Sequence, residues 1–119
     1  MLITDQKQIA EAISQIIGEE SYLSLCQTDF DLLCPHPARA LHVTAPTPDL
    51  LLKRLEHELT EAGGGAPSGV IAYLRCANIQ MSDLEKLDAL LPHTPHFKRG
   101  LSFVLEGGEN EVWVFVETV

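Results

Sequence analysis

Three stretches carry residues with scope for chemistry. Asp29 and Asp31 are near neighbours, and paired carboxylates can share acid and base work. On sequence chemistry alone they read as two solvated acids in a turn. His93-Thr94-Pro95-His96 brings two imidazoles close together. Pro95 prevents regular helical display, and no Cys, Asp or Glu within a few residues completes a ligand set, so no metal is expected there. The run Gly63-Gly64-Gly65-Ala66-Pro67-Ser68-Gly69 has the composition of a phosphate cradle. Such cradles work where a strand feeds a glycine-rich turn that opens a helix, because the helix N-terminus supplies free N–H groups and a positive dipole. Here a helix precedes the glycines, a strand follows, and no lysine stands at the required place. The run reads as a loop, and no cofactor is implied.

The remaining nucleophiles and bases lack a motif. There is no G-x-S-x-G elbow to mark a serine nucleophile. Cys26, Cys34 and Cys76 are odd in number and lack C-x-x-C spacing, so a disulfide framework is not expected. Each lies beside apolar residues and reads as a small core residue in a reducing cytoplasm. His36, between two prolines, reads as a loop residue. His42 and His57 have no motif around them.

The chain that must position these residues has 119 of them, 45% hydrophobic and 21% charged, with a net charge of −9. Its length suits one domain spanning residues 1–119, and its apolar fraction suits a globular one. No stretch approaches the ~18 apolar residues of a membrane span, and no basic segment leads into an apolar run at the start. Eight Lys and Arg stand against 17 Asp and Glu. Nucleic-acid binding needs a basic stripe to displace counterions from phosphates. The adjacent basic pairs are only Lys53-Arg54 and Lys98-Arg99, and the first sits among Glu56, Glu58 and Glu61. Neither nucleic acid nor a membrane is an expected partner, and the acidity reads mainly as a source of solubility.

Periodicity then sets the elements. Residues 5–17 predict a helix with Ile9, Ile13, Ile16 and Ile17 on one face and Gln8, Glu11 and Gln15 opposite, capped by Thr4 or Asp5 and ended by Gly18. Tyr22 to Cys26 alternates as a short strand would, and Pro35 and Pro37 forbid a long helix before Arg39. Arg39 to Thr44 reads as a strand. Thr47 caps a second helix with Pro48 in its first turn and Leu52, Leu55, Leu59 and Ala62 as its stripe. Val70 to Leu74 is mostly apolar and reads as a central strand covered on both faces. Ser82 and Glu85 suggest a capping box for a third helix carrying Leu84, Leu87, Leu90 and Leu91. Leu101–Leu105 and Val112–Val116 flank a turn with Gly107 and Gly108, which predicts an antiparallel hairpin.

These elements sum to an α/β (α+β) fold: β-α-β-α-β-β with an extra N-terminal helix, in which a four-stranded mixed sheet over residues 39–119 is covered by two helices on one face. Trp113 and Phe115 fall on the hairpin face opposite Val112 and Val114. That face needs a cover, for which the helices are the expected source; left bare, it would suit a partner.

Read together, "ITDQKQIAEAISQIIGEESYLSLCQTDFDLL" resembles the long central helix and following synergy loop of the bacterial tubulin homologue FtsZ. The segments "RALHVTAPTPDLLLKRLEHEL", "GVIAYLRCANIQMSDLEKLDALL" and "RGLSFVLEGGENEVWVFVET" continue in the order of that family's C-terminal domain. The resemblance covers nearly the whole chain and lies mostly in apolar pattern. It implies a tubulin/FtsZ C-terminal-domain-like fold without the GTPase domain, and hence no GTP turnover by the chain alone. In the family the loop carries an Asn and two Asp residues and reaches into the nucleotide pocket of the next subunit. Here Ser24 stands where the Asn would be, Cys26 replaces the first Asp, and Asp29 keeps the second.

Two classes of function follow. By resemblance, the chain is a non-catalytic interaction domain whose loop, Ser24, Cys26, Gln27, Asp29 and Asp31, meets a protein partner such as a tubulin-like GTPase. Alternatively it is a small oligomer, a ligand binder or enzyme with sites between subunits, where Arg39, Tyr73 and Arg75 hold a carboxylate through the bidentate fork of arginine.

Overall fold

Local chemistry starts each helix. In the computed structural model, which describes residues 2–17, 37–62, 67–76, 80–91, 98–104 and 110–118, helix α1 spans Gln6–Ile17. Asp5 caps it: its Oδ1 accepts the Lys7 N–H at 2.8 Å, and its carbonyl accepts the Ile9 N–H. Helix α2, Pro48–Ala62, begins as expected, with Thr47 Oγ1 accepting the Leu50 N–H at 3.3 Å and Pro48 at the first position. That position has no intrahelical partner for an N–H, so proline costs nothing there. Helix α3, Met81–Leu90, starts two residues earlier than its sequence suggests. Gln80 is the cap, and the buried Asp83 accepts the Gln80 N–H at 3.0 Å. Asp83 therefore does the reciprocal work that the Ser82–Glu85 spacing pointed to, and Ser82 lies inside the first turn.

Among the described residues, five strands form one mixed sheet: β1 (Leu2–Ile3), β2 (Arg39–Ala45), β3 (Pro67–Arg75), β4 (Lys98–Val104) and β5 (Asn110–Thr118), in the order β1-β2-β5-β3-β4. Only β3 and β4 pair in parallel; the other neighbours are antiparallel. The protein is thus a small α+β fold. Two features differ from the sequence reading. The two-residue β1 adds a fifth strand and is too short to show a period of two. More consequentially, β4 and β5 do not form a hairpin. β5 inserts between β2 and β3, and β4 lies at the edge beside β3.

The physical reason lies in the two faces of β5. Val112, Val114 and Val116 are buried on one side and Phe115 on the other. A strand that is apolar on both sides gains most in the centre, where both faces are covered and both edges are paired. Lys98, Arg99, Gly100 and Ser102 make β4 the more polar strand, suited to an edge. A glycine turn signals local chain reversal but not the partner a strand will take.

The two faces have separate cores. On one, Leu41, Val43, Val70, Ala72, Leu74, Val112 and Val114 meet Leu51, Leu52 and Leu55 of α2 and Leu87 of α3. Cys76 is buried there, the small core residue expected of it. On the other, α1 lays Ile9, Ala12 and Ile16 on Ala40, Ile71, Tyr73 and Phe115, with Ile3 of β1 alongside. Gln8, Glu11 and Gln15 are exposed, as the single stripe requires. Each such large aliphatic side chain contributes about 1.5–3 kcal/mol on burial. β3 is buried on both faces from Val70 to Leu74, as its sequence suggested.

Candidate functional site

Alternation along the strands and the antiparallel registers line up three rows on the α1 face. Ala40, Phe115 and Ile71 form the first, under α1. His42, Trp113 and Tyr73 form the second. Thr44, Glu111 and Arg75 form the third. The face therefore grades from an apolar end into a charged and aromatic one. Tyr73 is buried at 1% exposure, whereas His42, Trp113, Glu111 and Arg75 are only part-buried.

Side chains in the second and third rows interlock. His42 Nε2 lies 2.9 Å from Glu111 Oε2. The imidazole stacks on the Trp113 indole with centroids 4.0 Å apart and planes 15° from parallel, and Trp113 in turn stacks on Phe115 at 5.8 Å. Arg75 Nε approaches the other carboxylate oxygen of Glu111 at 3.9 Å, an ion pair beyond hydrogen-bond reach. The hydrogen bond to His42 holds the Glu111 carboxyl below its ordinary range; the charges of His42 and Arg75 act in the same sense, and burial opposes them. Chemically, this is an imidazole held in one orientation by a carboxylate and an aromatic plate, with an arginine answering the carboxylate's second oxygen.

The residues singled out from sequence fall differently. Ser24, Cys26, Gln27, Asp29 and Asp31 lie outside the described residues, as do Cys34, His36, His93, His96 and the strand suggested at Tyr22 to Cys26. Arg39, Tyr73 and Arg75 are not brought together. Arg39 shares strand parity with Leu41, which packs toward α2 and α3, and pairs with Val116; Arg75 pairs with Glu111 toward the opposite end of β5. Tyr73 is enclosed beneath α1. Within one chain, the register of the sheet therefore keeps Arg39 apart from Tyr73 and Arg75. His42, Glu111 and Trp113 had no motif to mark them. Their period-two positions are visible in the sequence, but the β2–β5 pairing that sets Glu111 beside His42 is not.

Among the described residues, no group of three or more His, Cys, Asp or Glu is placed to hold a metal ion, and no helix is long and apolar enough to cross a membrane. No protein-family model matches the chain, and no curated protein matches it in sequence.

Proposed function

We propose that this chain is a non-catalytic protein-interaction domain of the FtsZ C-terminal-domain type, acting in the cytoplasm on a filament-forming, tubulin-like GTPase. What carries the reading is the succession of elements: a helix with one apolar stripe, then strand-helix-strand-helix-strand-strand, in the order of the resembling segments. The single stripe of α1 supports it further, since Ile9, Ala12 and Ile16 seat the helix on the sheet while Gln8, Glu11 and Gln15 face solvent. In this reading the loop with Ser24, Cys26, Gln27, Asp29 and Asp31 meets the partner, and its departures from the family pattern leave it without a hydrolytic role. The test is co-sedimentation with an FtsZ polymer assembled with GTP, alongside a phosphate-release assay. Binding to the polymer, or a changed turnover, is expected, with no GTP hydrolysis by the domain alone. Absence of both binding and any effect on turnover overturns the proposal.

A second reading, a small oligomer with ligand sites between subunits, is favoured by one observation: the part-buried row of His42, Trp113, Glu111 and Arg75, which is more polar than packing alone demands. Sedimentation equilibrium showing a monomer at all concentrations counts against it.

A further inference from the structure

Two cations of this acidic protein, Lys53 and Arg54, sit over one edge of the sheet. β1 pairs only with Ala40 and Leu41. Beyond it, among the described residues, no strand lies against the outer edge of β2. There α2 overhangs the edge, and an open cleft of about 540 Å³ lies between the two elements, lined by His42, Val43, Thr44, Lys53, Arg54, His57 and Glu58. That size is within the range of small-molecule sites.

Counting charges around the cleft separates its cations into two kinds. The imidazoles already have carboxylates: Glu111 on His42 at 2.9 Å and Glu61 on His57 at 3.2 Å. Lys53 and Arg54 do not. Arg54 Nη1 donates to the neutral carbonyl of Thr44 at 2.7 Å. This bond orients the guanidinium against the strand edge, and among the described residues no carboxylate forms an ion pair with it. Lys53 has no ion pair among the described residues. Two permanent cations thus flank one cleft, with Glu58 as the only acid among its lining residues, in a chain of net charge −9. An arginine whose geometry is set by a neutral acceptor retains further N–H donors for an oxyanion, and a neighbouring lysine adds a mobile point charge.

We infer that this cleft binds a small oxyanion, a phosphate or carboxylate group on a small molecule, with Arg54 and Lys53 as its charge-neutralising contacts and His42 on its wall. The site uses none of residues 24–31, so it stands or falls separately from the partner-binding reading.

Trp113, the only tryptophan, stacks on His42 and so reports on the cleft without a label. The experiment titrates the intact protein with inorganic phosphate, and in a parallel arm with succinate, against sodium chloride at matched ionic strength, following Trp113 emission and the thermal midpoint. A saturable response to phosphate or succinate that chloride does not reproduce is expected, and the arm that saturates identifies which oxyanion the cleft prefers. Lys53→Gln, at an exposed position, should weaken apparent affinity about tenfold, and Lys53→Gln with Arg54→Gln should abolish saturation. Imidazole resonances of His42 and His57 provide a second readout and should move with the same midpoint. Responses that track ionic strength alone in both arms, or a double variant that binds as the parent does, overturn the inference.

Discussion

Replacing Glu111 with glutamine keeps the shape of the third row and removes the charge that holds His42 and faces Arg75. In a desolvated setting a charge-assisted hydrogen bond contributes about 1.5–3 kcal/mol. Both His42 and Glu111 side chains are 25% exposed, and solvent screening lowers the expected loss to about 1 kcal/mol. For a chain of this length, with an unfolding entropy of roughly 0.25 kcal/mol/K near the midpoint, that loss corresponds to a drop of about 4 °C in Tm. The pH dependence makes the prediction specific. Folding lowers the Glu111 pKa, first through the hydrogen bond with His42 and then through the charges of His42 and Arg75, against the opposing effect of burial. A carboxyl with a depressed folded-state pKa contributes stability that is full above its unfolded pKa and is lost as pH falls through the folded one. The parent should therefore exceed Glu111→Gln in stability at neutral pH, and the gap should close in acid below the depressed pKa. Urea unfolding of both proteins across that range, followed by Trp113 emission, measures it. Equal stability at neutral pH, or a gap of the same size in strong acid, would refute the reasoning.

Two other outcomes test the packing and the strand order. Leu55→Ala on α2 and Ile9→Ala on α1 remove side chains that are 0% and 1% exposed. Each should cost about 2–5 kcal/mol in chemical denaturation, because a cavity is left behind; a loss below about 1 kcal/mol at either site would contradict the assigned core. Amide exchange should be slowest in β5 and β3, which are paired along both edges, and fast in the two-residue β1. Protection in β4 exceeding that in β5 would speak against the central placement of β5.

Much of the chain's local structure was legible in its residues. Asp5 and Thr47 act as caps because their short side chains reach N–H groups that the first helical turn leaves without partners. The isoleucine stripe of α1 and the leucine stripe of α2 mark the buried faces because a 3.6-residue period puts them on one side. The even burial of β3 was visible as an unbroken apolar run. These readings need only near neighbours along the chain.

What tertiary structure alone decided was which strands meet. Val112, Trp113, Val114 and Phe115 say that β5 is apolar on both sides, but not that β2 and β3 will flank it. That choice belongs to the whole core, since covering both faces of the most apolar strand outweighs the local pairing suggested by a glycine turn. The choice then makes the site. Placing β5 beside β2 sets Glu111 against His42 and stacks Trp113 on the imidazole, while the same register carries Arg39 away from Arg75. Residues with no motif became neighbours, and residues with apt chemistry were separated, because side-chain proximity across a sheet is set by register, a long-range quantity that no short window of sequence contains.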